Sequence, residues 1–387
     1  MKYKIELITI FLICVLAFLS CESLNDNEEN KGVEPLLQTK WDHHVSPFND
    51  LLPMDGVNRS VGGCVAGATA QIMRFHKHPE RGIGQSEAYI TSTRKFNIPS
   101  VDFNVVYEWD NMLYTYPNAS SSNEQQRNAV AILHYHIAVG MNTDFTSDGS
   151  SQGGAIALLT NHFNYDRSVE SLLRSFFDND AEWEAILKSQ LDAGLPVLYG
   201  GRNSQGGGSH FFVVDGYDNN GKFHINMGYG GRADGLYFLN DIKYGGQDHS
   251  YQQSMDINIK PNKGGAGTER MALIIFSPEK TSASRNEIFN VTIQMRGVGY
   301  FSGGRAGIAL VDNNNNIVAV IGERNNPERR PGGITGEWNI ECTVPNYVDT
   351  KQYKLRVVIK PTNSDWRIVT LSTIGDGVPS SFDFLVK

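Results

Sequence analysis

The stretch that decides the fold is GGCVAGATAQIMRFH, residues 62–76. Its small and apolar residues predict a helix that begins at Cys64, runs to about His76 and stops before Pro79. A thiol at the first residue of a helix lies at the positive end of the helix dipole, which favours the thiolate. Because the thiolate is the nucleophilic form of cysteine, Cys64 is a candidate catalytic residue.

A second stretch, GGSHFFVVDGYD at 207–218, places His210 on a strand-like segment, 146 residues after Cys64. An imidazole beside a thiol can hold the thiolate as an ion pair and later protonate a leaving amine. Papain-type peptidases place the His and Asn about 130–150 residues after the Cys. His210 fits that range, and Asn226 lies slightly beyond it. The aromatic residue that follows the papain cysteine is replaced by Val65.

Four segments together resemble, in the same order, the streptopain family of papain-like cysteine peptidases: CVAGATAQIMRFHKHP, GGSHFFVVDGYD, FHINMGYGGRADGLYFL and YQQSMDINIKP. The resemblance spans about residues 34–261. It implies a secreted endopeptidase that acts on proteins or peptides without a cofactor. In that mechanism the Cys64 thiolate attacks a peptide carbonyl, and His210 assists hydrolysis of the resulting thioacyl-enzyme.

The chain departs from the family around the residue that orients the catalytic imidazole. The family pattern Asn-Trp-Gly-Trp-Gly is here Asn226-Met227-Gly228-Tyr229-Gly230, so both tryptophans are replaced. The resemblance implies that Asn226 orients His210. Two alternatives stay open: the main-chain carbonyl near Met227 orients the ring, or Asn226 makes only a hydrogen bond at the end of a strand.

A second departure concerns the oxyanion hole. In the family, a Gln before the Pro-Tyr/Phe-Asn segment helps the N–H of the nucleophile to form that hole. This chain has His43 and His44 in that place, before Pro47. His44 is the better candidate by its distance to Pro47, and His43 is the second. The alternative is that both are surface residues of the loop.

The resemblance also locates a substrate pocket. The segment GSSQGG at 149–154 falls where the family has a loop of small residues beside the pocket for an apolar side chain, two residues before the cleaved bond. Ser151, Gln152 and Gly153 are the pocket candidates. Small residues there leave room for a bulky apolar group, although Gln152 can narrow the space.

The N-terminus has the pattern of an export signal. Lys2 and Lys4 precede a run of apolar residues too short to span a bilayer, and Cys21 follows a small residue. Residues 1–20 are therefore predicted to be a signal peptide of the bacterial lipoprotein type, with Cys21 acylated. The alternative is an ordinary signal peptide. We expect a lipid-anchored protein of the outer membrane or cell surface, or otherwise a secreted one, whose membrane contact is only the lipid.

Residues 21–33 are polar and acidic and are predicted to be a disordered tether. So short a segment buries too little apolar surface to act as an inhibitory prodomain. Restraint of the activity is therefore expected from a separate inhibitor protein, a weakened oxyanion hole or the C-terminal part of the chain.

Residues 34–261 are predicted to form a papain-like α+β domain. Helices come first, including AVAILHYHIAVG, AIALLTNHF and AEWEAILKSQLDAG, the last of them capped by Asp180. Four strand-like segments follow: LPVLYG, HFFVVDGY, KFHINMGY and GLYFLND. A hairpin turn is predicted at 219–221. This order of elements is typical of an α+β domain.

The last third of the chain has the sequence pattern of a different fold class. A Gly-rich linker at 262–268 precedes about seven short strands within residues 269–387, which predict an all-β accessory domain of the immunoglobulin-like sandwich type. Cys342 shares a strand face with Trp338 and Ile340 and is predicted to be a buried, inert thiol.

Composition excludes several function classes. The 387-residue chain carries a net charge of −8, which argues against nucleic acid and anionic membrane surfaces as partners. No His, Cys or carboxylate set has metal-ligand spacing, so no metal is predicted. The competing interpretation is a peptidase homologue that has lost turnover and acts as a surface binding protein. The replaced Gln and tryptophans favour it, whereas Cys64 and His210 argue against it.

Overall fold

A computed structural model describes residues 32–151, 153–203, 206 and 208–387. The predicted signal peptide, the lipidation site Cys21 and nearly all of the tether at 21–33 lie outside the described residues. Val33–Lys387 form one compact unit. Within the described residues, no helix is both long and apolar enough to cross a membrane.

Among the described residues of the first half of the chain, four α-helices form: α1 (Cys64–His76), α2 (Glu124–Gly140), α3 (Ala155–His162) and α4 (Asp180–Asp192). The predicted start and end of α1 are confirmed. The predicted cap of α4 is wrong by one residue. Asn179, not Asp180, accepts the N–H of Glu182 at 2.9 Å, and Asp180 is the first helical residue, where its charge favours the helix dipole.

Short two-residue ladders flank these helices. They are β1 (Met54–Asp55) with β2 (Asn58–Arg59), β3 (Tyr89–Ile90) with β4 (Asn97–Ile98), β5 (Asp144–Phe145) with β6 (Ser150–Ser151), and, later in the chain, β12 (Lys243–Tyr244) with β13 (Gln247–Asp248). They close loops around the larger sheets.

A six-stranded antiparallel sheet carries the site. Its spatial order is β11-β10-β9-β8-β14-β7. The strands are β7 (Glu170–Leu173), β8 (Val197–Arg202), β9 (Ser209–Tyr217), β10 (Phe223–Asn226), β11 (Gly235–Tyr237) and β14 (Tyr251–Ile257). The predicted turn between β9 and β10 is confirmed, because Phe223 pairs with Tyr217.

Helices cover both faces of this sheet. Successive side chains of each strand point to opposite faces, so each strand contributes to a core on either side. Leu198 and Val213 point into one core, which they share with α1, α2 and α3. Tyr199, Phe212 and Val214 point into the other core, where they meet Trp183, Leu187 and Leu191 of α4. Trp183, Leu187 and Leu191 thus form the buried apolar face of α4.

Two further sheets form the C-terminal part. The first is four-stranded, with the order β20-β17-β15-β23, and the second has the order β16-β24-β21-β18-β19, with β22 paired to β21. Their strands are β15 (Met271–Pro278), β16 (Ser282–Ala283), β17 (Ile288–Gly297), β18 (Gly304–Val311), β19 (Ile317–Asn326), β20 (Trp338–Thr343), β21 (Gln352–Pro361), β22 (Arg367–Ile368), β23 (Leu371–Ser372) and β24 (Phe382–Val386).

One apolar core lies between these two sheets, as residues such as Val291 and Ile340 from one and Leu355 and Phe384 from the other show. Cys342 belongs to this core and is fully buried, as predicted. Burial raises the pKa of its thiol to about 12, so the thiol stays protonated at neutral pH.

The C-terminal part covers β7, the strand at the edge of the six-stranded sheet. The N–H of Ser171 donates to the carbonyl of Val298 at 2.8 Å, and the Arg296 guanidinium donates to the Ser171 carbonyl at 2.8 Å. The carboxylate of Glu170 pairs with Arg270 at 2.6 Å. An edge strand with unpaired main-chain groups invites non-native pairing, and here the second half of the chain satisfies those groups.

Substitution of Gly201 can test how closely this sheet is packed near the site. It pairs with His210 across β8 and β9, and a Cβ placed on it would overlap the carbonyl oxygen of His249. Gly201→Ala should therefore lower the free energy of unfolding by about 1–3 kcal/mol, because main-chain atoms must move. Gly208→Ala is the matched control, since a Cβ there meets nothing within 4 Å. Thermal and urea unfolding of both variants measure the effect, and equal stabilities would contradict this packing.

Candidate active site

Cys64 is the first residue of α1, preceded by Gly63 at φ 88°. The side chain is half-buried and not in a disulfide. Burial raises the pKa of the Cys64 thiol, while main-chain N–H groups of Phe211, Val65 and Cys64 itself act in the opposite direction. The N–H groups at the start of the helix favour the thiolate, as the sequence led us to expect, but loss of hydration outweighs them, so the net pKa of Cys64 is raised.

The N–H of Phe211 relates Cys64 to the strand that carries His210. Phe211 follows His210 on β9, and its N–H group donates toward the Cys64 sulfur. The start of α1 and the start of β9 are thus in direct contact. Cys64 and Phe211, far apart in the sequence, are therefore neighbours in the fold.

His210 is buried, and its ring orientation is set by the main chain. Its Nε2 lies 3.0 Å from the carbonyl oxygen of Met227, which can only accept a hydrogen bond. The neutral ring therefore carries its hydrogen on Nε2 and a lone pair on Nδ1. Burial lowers the pKa of His210 to about 4, and the neighbouring His249 adds to this effect.

Asn226 does not make the orienting bond. Its side chain exchanges two hydrogen bonds with Gln71 of α1, at 3.0 and 3.1 Å, and donates to the carbonyl of Thr39 at 2.7 Å. It also accepts the N–H of Gly228 at 3.1 Å. Asn226 thus fixes the peptide segment that carries the Met227 carbonyl. The second of the three interpretations, a main-chain carbonyl near Met227, agrees with these contacts.

Tyr229 covers His210 in place of a tryptophan. The two rings are parallel within 4°, with centroids 4.9 Å apart, and the hydroxyl lies 3.4 Å from Nδ1. This is an offset stack, in which the phenol lies over the imidazole. Tyr229 is close enough to Cys64 for a negative charge on that sulfur to raise the pKa of the phenol, which burial brings to about 12.

The two candidate oxyanion residues lie at the site in different environments. His44 is partly exposed, stacks on Tyr229 at 5.5 Å and contacts Asp42 through Nδ1 at 2.9 Å. His43 is buried against α1, where a Cβ on Gly67 would lie 3.0 Å from its Nδ1. Burial, together with the nearby His44 and His210, lowers the pKa of His43 well below its usual value. The alternative that both are surface residues of the loop is therefore wrong for His43, which is buried, and stays open for His44, which is partly exposed.

Asp42, which the sequence analysis did not identify as a site residue, binds both His44 and Arg232 through its carboxylate. Its carboxylate accepts the N–H of His44 at 3.1 Å and the Arg232 guanidinium at 2.8 Å. Although burial acts against it, the hydrogen bonds to His44 keep the pKa of Asp42 below its usual value, so it is a carboxylate at neutral pH. The signal available in the sequence is the run Trp-Asp-His-His, a lone acid beside two imidazoles.

Of the three pocket candidates, Gly153 lines a cavity of about 480 Å³ beside Val65 and Phe211. Gln152 is outside the described residues, and of Ser151 only the main chain is described, paired with Asp144. The cavity also has residues that the sequence did not indicate, some of them from the C-terminal part, including Asp256 and Arg296. Among the residues that the structure describes, no cluster of His, Cys, Asp and Glu could hold a metal ion.

Comparison with known proteins gives consistent results. The Peptidase C10 family profile matches residues 41–237. Streptopain from Streptococcus pyogenes is 32% identical over 255 residues, which is 59% of this chain and 63% of streptopain. The thiol protease/hemagglutinin PrtT of Porphyromonas gingivalis is 30% identical over 248 residues, 59% of this chain and 28% of that protein. The chain thus spans less than two thirds of the length of these relatives.

Among solved structures, the active interpain A cysteine protease of Prevotella intermedia is 31% identical, with a TM-score of 0.56. The match covers 62% of this chain and all of that one. The fold of the first part is therefore papain-like, with mixed α and β elements. The profile match, these relatives and the contact between α1 and β9 lead to one conclusion: the chain belongs to the Peptidase C10 family.

Proposed function

We propose that the protein is an exported cysteine endopeptidase that uses Cys64 as nucleophile and His210 as base. The observation that carries the proposal is the contact of the Cys64 sulfur with the strand of His210, whose Nε2 is bound to the Met227 carbonyl. Because that bond leaves the lone pair on Nδ1, His210 can take a proton from a thiol and later give it to the leaving amine.

Burial opposes either charge alone, since it raises the pKa of Cys64 and lowers that of His210. Transfer of the proton from the thiol to the imidazole creates both charges at once, and their attraction offsets the loss of hydration. The thiolate attacks the peptide carbonyl, the C–N bond breaks as His210 protonates the amine, and water then hydrolyses the thioacyl-enzyme. In this proposal Tyr229 shields the ion pair from water.

We further propose that residues 34–261 form the peptidase domain, 262–268 the linker and 269–387 an accessory domain of the immunoglobulin-like type. The supporting observation is that the two C-terminal sheets enclose a core of their own. That core is separate from the two cores on either side of the six-stranded sheet.

The first test is proteolysis of an unfolded protein under reducing conditions. Cys64→Ala should abolish cleavage, with a loss of at least about 10⁴-fold, because the thioacyl-enzyme cannot form. Cys342→Ala is the matched control, since this second thiol lies in the C-terminal core, and it should keep activity. Wild-type protein that folds but cleaves nothing would favour the alternative, a surface binding protein without turnover.

The second test follows thiol alkylation by iodoacetamide as a function of pH. In the wild type, Cys64 should react faster than Cys342, and its rate should stay high below about pH 7 because of the ion pair. In His210→Gln no imidazolium is present and burial raises the pKa of Cys64, so its thiolate forms only as the pH rises above the range of an ordinary thiol. Identical pH profiles for the two proteins would contradict the ion pair.

His44 is the proposed donor of the oxyanion hole, together with the N–H of Cys64. Its Nδ1 is held by Asp42, so Nε2 is the nitrogen available to the substrate. When both nitrogens carry a hydrogen the ring is cationic, and the Asp42 carboxylate offsets that charge. The partial exposure of His44 favours it over the buried His43.

His44→Ala should therefore lower kcat by about 10²–10³-fold with little change in KM. His44→Gln should recover a large part of the rate, because an amide N–H restores a donor. Single-turnover and steady-state kinetics on a peptide substrate measure both effects. A His44→Ala enzyme with unchanged kcat would refute the role. The companion variant His43→Ala should change stability more than kcat.

A further inference from the structure

The cavity beside the reacting pair is bounded by both halves of the chain. Val65 and Phe211, the sequence neighbours of Cys64 and His210, form its wall on the side of the active site, next to Gly153. Most of the remaining wall in the first half is apolar: Ala155, Ile156, Ala157, Leu173 and Leu198. A substrate side chain bound next to the reacting pair would enter this cavity, and its shaft would contact apolar surface.

Polar groups gather in the part of the cavity farther across the sheet. Asp256 of β14 pairs in register with Ser171 of β7. The strand order places β14 two strands from the β9 residue Phe211, a separation of about 10 Å. Only a long side chain can extend from the reacting pair to these groups.

Arg296, on β17, is the second charged residue near Ser171, after Asp256. Its guanidinium donates to the carbonyl of Ser171 at 2.8 Å and to the Ser171 hydroxyl at 3.0 Å. These bonds use two of the five N–H donors of the group. The Ser171 hydroxyl also lies near the carboxyl of Asp256, its partner in the strand register; it lowers the pKa of that carboxyl, which burial raises to about 6. Asp256, Ser171 and Arg296 thus form one chain of polar contacts that crosses between the two halves.

A loop of the C-terminal part completes the enclosure. Residues 330–333 line the cavity. Two main-chain bonds fix the loop, from Gly332 N–H to the Gly297 carbonyl and from Gly297 N–H to the Gly333 carbonyl, both 2.8 Å. Pro331 is buried there. The wall is therefore as well held as the sheet itself, and it is absent from the segment that matches the family profile, residues 41–237.

The chemistry of these walls selects one class of side chain. Asp256 disfavours an acidic guest, and Arg296 together with the exposed Arg330 disfavours a basic one. A neutral group that donates to the carboxylate and accepts from the Arg296 guanidinium satisfies both of these partners. The apolar walls favour an aromatic shaft over the flexible chain of glutamine. A phenol on an aromatic ring combines both properties.

We infer that the C-terminal sheets complete the substrate cavity of this enzyme, and that Asp256 and Arg296 select tyrosine two residues before the cleaved bond. The inference rests on the proposed peptidase function and refines it, because apolar walls alone would accept phenylalanine, leucine or isoleucine equally. Specificity in this chain then depends on residues from both halves.

The test uses the protein with both halves of the chain present and five peptide substrates that differ only at that position: Tyr, Phe, Gln, Glu and Lys. We expect kcat/KM for the Tyr peptide to exceed that for the Phe peptide by about tenfold or more, because a site that hydrogen-bonds a hydroxyl rejects the analogue without it. Equal values for Tyr and Phe, or a preference for Gln, Glu or Lys, would overturn the inference.

Asp256→Leu replaces the carboxyl by an apolar group of similar volume and should make the Phe peptide the better substrate. Asp383→Leu is the matched control on the exposed face of β24 and should leave the ratio unchanged. Arg296→Met removes the guanidinium supplied by the C-terminal sheets and should also abolish the Tyr preference. If Arg296→Met does not fold, Asp256→Leu decides alone, and an unchanged ratio in it refutes the proposal.

The two proposals fail in different ways. No cleavage of any peptide, with Cys64 still alkylated by iodoacetamide, would contradict the peptidase function. Cleavage of all five peptides without a preference for Tyr would leave that function standing and contradict the role of Asp256 and Arg296.

Discussion

The contact between the first turn of α1 and the start of β9 is the interaction on which the rest of the site depends. It brings the N–H of Phe211 close to the Cys64 sulfur, and His210 is the preceding residue on the same strand. The sheet makes this contact possible, since β9 lies between β8 and β10 and cannot shift its register without moving its apolar side chains to the wrong face. The position of His210 is therefore as fixed as the core.

Loss of hydration dominates the electrostatics of this contact. Two neighbouring imidazoles, those of the buried His249 and the partly exposed His44, oppose a positive charge on His210. The groups that favour that charge are the Met227 carbonyl and, in the proposed mechanism, the thiolate itself. In the proposed mechanism, the negative charge of Cys64 and the positive charge of His210 therefore form together, as an ion pair. Loss of hydration also explains why a main-chain carbonyl orients the imidazole: the carbonyl carries no net charge, so burying it costs less than burying a carboxylate.

In the proposed mechanism, the residues that replace the family's aromatic and amide residues keep the physical roles of the originals with different chemistry. Tyr229 stacks on His210 as a flat cover, although it adds a hydroxyl near Nδ1. His44, held by Asp42, offers a ring nitrogen in the region where the family uses an amide. On the other side of the site, the C-terminal sheets cover the edge strand β7 and contribute Arg296 to the cavity. The same contacts that satisfy the sheet edge thus also form part of the cavity wall.

The sequence by itself determined the local elements and indicated Cys64 and His210 as the candidate reacting residues. Helical spacing after Cys64, alternation along HFFVVDGY and turn residues at 219–221 depend on neighbours within a few positions, so they can be recognised in the chain. The resemblance to a family added the pairing of Cys64 with His210. The cap of α4 was misplaced by one residue because Asn179 and Asp180 are both good caps, and only the main-chain geometry distinguishes them.

Tertiary structure alone decided which groups meet. The bond of His210 to Met227, the exchange between Asn226 and Gln71, and the support of His44 by Asp42 depend on how α1, the leading loop and the sheet pack together. The net effect on the pKa of Cys64 also required the fold, because burial, which outweighs the helix start, is a property of the packed molecule. Arg296 and Asp256 lie on separate halves of the chain, and no local pattern links them. Contacts of this kind form only when strands from both halves are brought together.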